Sequence, residues 1–170
     1  MKKLLALCTV LAVTTGFMTA AAAASARLLV LDFELVDTSN EPIDRSAEHA
    51  RRLVAVRGYV AKQIAAEKIY DVADDKPVRA KIDDVLAHQY LRSCNGCELS
   101  LAREAGAEFV LLGKFNKVST LIGSMEMRIE NTQTGGVVYA RSFDYRGDTD
   151  EAWMRAAKFF VEELSKSGTH

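Results

Sequence analysis

Two cysteines three residues apart, Cys94 and Cys97 in RSCNGCELS, are the residues whose type and spacing point most directly to chemistry. Such a pair has three uses. As a dithiol it exchanges disulfides, helped when a helix amino terminus stabilises the thiolate. As half of a metal site it needs two further ligands. As a disulfide it needs nothing else, and Asn95-Gly96 is a turn dipeptide able to bring the sulfurs together.

The neighbours weigh these uses. Glu98 and Glu104 add negative charge beside any thiolate, the lead-in AHQYLRS reads as helical, and Pro42 and Pro77 both precede the pair. A thioredoxin-like site needs a strand leading in and a later proline. His88 lies six residues upstream, but no second cysteine pair or close histidine completes a metal shell, and Glu98 stands where haem attachment wants histidine. A staple is the expected state. Closing so small a loop contributes about 2 kcal/mol before strain, so its task is to fix the start of the helix at Glu98.

Other constellations are weaker. Asp37, Thr38, Ser39 and Asn40 end the first apolar run, where α/β sheets place ligand loops; they suit a small polar ligand, or a capped turn. His49 with Arg51 and Arg52 suits an anion, against the plainer reading of a solvated helix face. Met125 and Met127 suit soft copper, but their same-face spacing predicts core packing. Asp144, Asp148, Asp150 and Glu151 lack the rhythm of a calcium loop, and helix capping accounts for two of them. No cofactor and no bound metal are expected, and no acid, base and nucleophile assemble at workable spacing.

The amino terminus sets the compartment. Met1-Lys2-Lys3, the apolar run Leu4 to Val13 and the alanine-rich tract to Ala26 are the parts of a cleaved signal peptide over residues 1–26, with a cut after Ala24 or Ala26. The run is too broken and short for the ~20 residues of a membrane span, and Leu5-Ala6-Leu7 before Cys8 is a poor lipidation signal. Losing Lys2 and Lys3 takes the formal net charge from −1 to −3, without a basic run, so nucleic acid is not an expected partner. Export also removes Cys8 and leaves a matched pair in an oxidising periplasm, where a disulfide persists.

The remaining residues predict one α/β domain over 27–166 and a disordered tail over 167–170. RLLVLDFELVD reads as one buried strand, a long helix runs from about Ser46 to Lys68, and IYDVAD is a short strand. A helix over 79–91 and a short one over Glu98 to Ala105 follow, the latter stopped by Gly106. EFVLLGKFNKV, LIGSMEMRIEN and VVYARSFDYRG are antiparallel strands, the last two joined at TQTGG. Asp148 with Glu151 predicts the cap of a final helix carrying Trp153, Ala156, Ala157, Phe160 and Leu164 on one stripe. The expected fold is therefore a single mixed sheet of about five strands: a β-α-β start, then hairpins, with helices packed on it.

LLVLDFEL, LAREAGAEFVLLGKFNKV and ENTQTGGVVYARSFDYRGD resemble the periplasmic α/β module of the curli-secretion lipoprotein and the amino-terminal domain of the Tol β-propeller protein. More narrowly, the VLDFEL strand and CxxCELxLAR segment resemble an uncharacterised family of small exported proteobacterial proteins, a domain of unknown function. The resemblance spans about Leu28 to Leu164 and implies a scaffolding, binding or assembly role; membrane anchoring and secretion are not carried over, because the chain lacks a lipobox and a pore-forming insertion. The expected function is a soluble periplasmic, non-enzymatic module acting on an unidentified envelope protein, with a second copy of the chain as a further partner through a free strand edge. The alternatives are a thiol–disulfide oxidoreductase using Cys94 and Cys97, and a small-ligand or metal sensor.

Overall fold

Residues 27 to 37 follow one neighbouring strand along their length, but not as the single strand their apolar density predicts. In the computed structural model, which describes residues 25–168, they form β1 (Arg27–Val30) and β2 (Glu34–Asp37). Both run parallel to β4 (Phe109–Lys117). Val30 sits opposite Leu111 and Glu34 opposite Lys114, so three residues face two. This is a bulge. It keeps Leu28, Val30, Phe33 and Leu35 on one face of the sheet and Leu29 and Leu31 on the other. Gly113 lies across from the bulge, where a Cβ would overlap the Phe33 ring. Asp32 turns out to Arg57 and Arg79.

The sheet order is β3-β1-β4-β5-β6, with β2 also beside β4. β3 (Asp71–Val72) is parallel to β1, whereas β5 (Ile122–Asn131) and β6 (Val137–Arg146) continue antiparallel from β4. The mixed sheet is as expected, with six strands among the described residues because the first run divides. Met125 and Met127 are core residues, as their spacing predicts, but Leu121 is exposed ahead of β5 and not on its buried face.

Helices cover the two faces unequally. α1 (Ser46–Ala66) and α4 (Asp150–Ser167) pack on the face bearing Leu111, Phe115, Met125, Met127 and Ile129. α2 (Arg79–His88) and α3 (Cys97–Glu104) lie on the other face, over Leu29, Leu31, Val110 and Leu112. There the cover stops. The outward residues of β5 and β6, among them Glu126, Ala140, Ser142 and Asp144, remain exposed. α4 continues through Ser167 and closes at Gly168, whose φ of 63° suits a glycine stop. The expected signal peptide, as far as residue 24, and residues 169–170 lie outside the described residues.

Two sequence expectations fail together at the start of α4. Asp148 is not its cap: Thr149 is, its Oγ1 accepting from the Ala152 N–H at 3.1 Å. Asp148 instead points inward, accepting from Arg52 at 2.7 Å and bonding His49 Nε2 at 2.9 Å, with Lys117 Nζ 3.7 Å away. His49 and Arg52 are therefore buried and not on a solvated face. They head the stripe His49, Arg52, Val56, Val60, Ile64, whose three- and four-residue steps follow one side of the helix. Asp148→Ala leaves three buried cationic or polar groups short of a partner, a loss on the order of 3–5 kcal/mol for a buried ion set. Urea unfolding of the variant against the parent measures it; a change near zero would show that water replaces the carboxylate.

Candidate functional site

Cys94 and Cys97 are joined as a disulfide. Asn95 and Gly96 between them both take positive φ, 54° and 95°, as a tight Asn-Gly turn requires. Cys97 is the first residue of α3, so the staple lies where the helix start is expected. The buried Glu98 accepts from the Gly96 N–H at 3.1 Å, and its Oε2 lies 3.1 Å from Cys94 Sγ. The Leu91 carbonyl is equally close to that sulfur. Two oxygens beside Cys94 disfavour a thiolate there. Among the described residues the metal-type cluster is Cys94, Cys97 and Glu98. Its sulfurs bond each other, and His88 stands exposed at the end of α2 with its ring on the Asp84 carbonyl.

The staple adjoins more than a helix start. The turn Leu91–Ser93 precedes it, and Glu34 of β2 anchors that turn by accepting from the Leu91 N–H and, at 2.8 Å, from Arg92. Burial pushes the Glu34 carboxyl above its ordinary value, although Leu91 and Arg92 pull the other way. The Arg92 guanidinium also lies 4.3 Å over the Tyr90 ring. Held from two sides, Arg92 forms one wall of a groove of about 380 Å³ on the uncovered face of the sheet. Lys114, Glu126 and Arg128 line it, and Ala140 and Ser142 of β6 form its far side.

Three of the groove's cations, Arg92, Lys114 and Arg128, have a carboxylate beside them; Arg141, which also lines it, has none among the described residues. Lys114 Nζ is 2.6 Å from Glu126, which also accepts from Asn116. Burial alone would raise Glu126, but the bonds from Lys114 and Asn116 outweigh it and leave the carboxyl lowered. Arg128 Nε is 2.6 Å from the buried Glu130. Burial, aided by the charge of Glu98, holds Glu130 above its ordinary value against the pull of Arg128. A guanidinium carries five N–H donors, so Arg92 and Arg128 keep donors for a ligand while their positions are fixed. Such an arrangement has the donors to meet a polar surface.

The Asp37–Asn40 loop lies at the opposite end of β2. Asp37 accepts from the Ser39 N–H and hydroxyl at 2.9 and 2.6 Å and from Lys117 at 3.1 Å, Thr38 donates to the Lys117 carbonyl, and Asn40 takes a positive φ of 52°. Lys117, only 2 % exposed, also reaches Ser39 and Glu41. Burial opposes its charge, but the bonds to Glu41 and Asp37 outweigh it, so its pKa is raised. The loop is thus folded around a lysine. Lys117 escaped the sequence reading although it stands two residues after the buried Phe115, on the same side of β4. Arg92, in a turn, carries no comparable signal. Of the four acids weighed for calcium, Asp148 and Asp150 both go to Arg52, Asp150 also to Arg51 and Glu151 to Arg155, while Asp144 stays exposed on β6.

A family model described as a protein of unknown function (DUF2380) matches residues 26–164, and the chain belongs to that family. No curated protein matches it. Among solved structures it is similar to the lipoprotein GNA1162 from Neisseria meningitidis, with 14 % identity, 85 % of this chain and 99 % of that one covered, and a TM-score of 0.53. The hypothetical protein CT253 from Chlamydia trachomatis is 10 % identical over 84 % of this chain and 96 % of that one, with a TM-score of 0.50. TolB from Acinetobacter baumannii is 9 % identical over 85 % of this chain and 29 % of that one, also at 0.50. At such identities the likeness is one of fold, and at that level the resemblance to the Tol protein holds.

Glu130 provides a test of this electrostatic arrangement. A carboxyl raised on folding takes up protons more readily when folded than unfolded, so its contribution to stability falls as pH rises through its folded pKa. Glu130→Gln should therefore gain stability relative to the parent as pH rises from about 4 to about 7. Thermal unfolding across that range checks the sign; a variant that loses ground as pH rises would show that Arg128 dominates.

Proposed function

We propose that the protein is an exported, non-enzymatic binding or assembly module of the cell envelope, released into the periplasm by loss of residues 1–26. Its working surface is the uncovered face of β5 and β6 with the adjoining Lys114 of β4. One observation carries this reading: Arg92, Lys114 and Arg128 line a groove where the helical cover of the sheet ends, each held by a carboxylate beside it. Prepaid ordering of this kind favours recognition, because partners do not have to immobilise the side chains themselves.

The staple belongs to the same surface, since it ends the turn that carries Arg92. It is also the expected state of a cysteine pair in an oxidising compartment. The similarity to a lipoprotein fold is consistent with an envelope setting. Thiol–disulfide exchange is less favoured, because Glu98 and the Leu91 carbonyl stand against a Cys94 thiolate. A small ligand at Asp37–Asn40 would have to separate Asp37 and Ser39 from Lys117, so we assign that loop a structural part.

Photo-crosslinking in an exporting host tests the face. A crosslinker at Ser142, beside the groove, should give a discrete adduct with an envelope protein. One at Glu162, exposed on α4, should not. Lys114→Glu combined with Arg128→Glu should remove the Ser142 adduct while the variant keeps its circular dichroism. Equal adducts from both positions, or none from Ser142, would count against the reading.

A further inference from the structure

β6 is the last strand of the sheet, and its outer edge has no strand partner among the described residues. Its ten residues extend roughly 33 Å at about 3.3 Å per residue. Proteins commonly blunt such an edge with proline, lysine or brevity. This strand, VVYARSFDYR, has none of these and begins with two exposed valines; its protection is limited to a bulge at Val138 and the charges of Arg141, Asp144 and Arg146.

Two grooves run along β6, one on each face. The first is the groove of Arg92, Lys114 and Arg128, reaching β6 at Ala140 and Ser142. The second, of about 300 Å³, lies between β6 and α4 and is lined by Phe143, Tyr145, Ala156, Arg155 and Phe159. There the half-exposed Phe159 stands edge-on to Phe143 at 5.1 Å. Side chains of an extended chain alternate between faces, so a strand laid along β6 sends one set into each groove. A helix or loop at this edge would use neither in that way.

Charge selects the occupant. On β6, Arg146 lies on the face of Ser142 and Arg141 on that of Phe143, neither with a carboxylate partner among the described residues, and Lys114 and Arg128, each paired with one carboxylate, flank the first groove. Asp144 is the only acid on the strand. A second copy fits poorly. Antiparallel self-pairing centred on Arg141 sets two arginines together. Centred on Ser142 it puts Asp144 across from Ala140 and Arg146 across from Val138; centred on Phe143 it puts Asp144 across from Ser142. Only pairing centred on Tyr145 sets Asp144 across from Arg146, and there three residues of each strand overlap; the longer registers pair no cation with a carboxylate.

We propose that β6 is a strand-addition site for an extended, acidic segment of another protein, with apolar side chains at alternate positions turned toward Phe143 and Phe159. This rests on the binding-module reading and supplies the chemistry of the partner. The probe is a fluorescein-labelled synthetic peptide of alternating valine and glutamate, long enough to span β6. Two controls are the same peptide N-methylated along one edge and a valine–lysine alternation. The first peptide should bind by anisotropy and slow hydrogen exchange across Val137–Arg146. Both controls should bind at least tenfold more weakly, and Arg146→Glu, on the face of Ser142, should weaken binding roughly tenfold, the weight of one charge-assisted contact.

Three results would overturn the proposal: no binding, equal binding of the valine–lysine peptide, or a dimer by sedimentation whose β6 amides are already protected without peptide. Binding that protects β5 and the Arg92 turn but not β6 would also overturn it, while leaving the proposed binding face standing. Loss of the Ser142 crosslink alongside intact β6 protection would strike at that face instead.

Discussion

The Asp148 carboxylate is the interaction on which the architecture turns. It lies in the segment between β6 and α4, yet it bonds His49 and Arg52 of α1 and sits beside Lys117 at the end of β4. Trp153 of α4 stacks on Phe115 at 4.3 Å and faces the His49 ring at 5.7 Å. Charges removed from water are tolerable as a complete set and costly when one member is missing. The set therefore specifies a single placement of α1 and α4, on the same side of the sheet. With both long helices committed there, the opposite side is left to two short ones, which reach only as far as β4. The exposed face of β5 and β6 follows from that allocation.

A second buried carboxylate works at the other side of the sheet. Glu34 ties the Leu91–Ser93 turn to β2, and the disulfide closes the next turn onto α3. Between them the segment that bears Arg92 is fixed at both ends, although it is not part of a strand or an α-helix. The bulge at Asp32 contributes too, since it returns Glu34 to the face where Leu91 waits. The staple is best understood through this geometry: it ends the turn that places Arg92 at the groove, the surface proposed for binding, and the oxygens around Cys94 favour keeping the sulfurs joined.

Much of the fold was legible because periodicity reports burial. The alternation of Met125, Met127 and Ile129, the stripe of α4 and the Asn95-Gly96 turn each reflect a local rule that the tertiary structure reinforces. What escaped was polar burial. His49, Arg52 and Lys117 occupy core-facing positions by spacing, but residue type argued for solvent, and only their distant partner Asp148 resolves the conflict. Asp148 itself looked like a cap because Glu151 stands three residues on, whereas the true cap, Thr149, has Ala152 there and completes no box. The division of the first strand was hidden for a different reason: a bulge adds a residue without altering apolar density. The groove could not be read at all, since it joins Arg92, Lys114 and Arg128 from three separate segments.

The most direct measurement is the reduction potential of the Cys94–Cys97 pair, by alkylation and intact mass of the mature protein across glutathione ratios. A binding module stapled by that bond should give a potential below about −300 mV, beyond the reach of the glutathione pool. A value near −120 to −180 mV, in the range of known disulfide oxidants, would make the pair a catalyst and contradict the account.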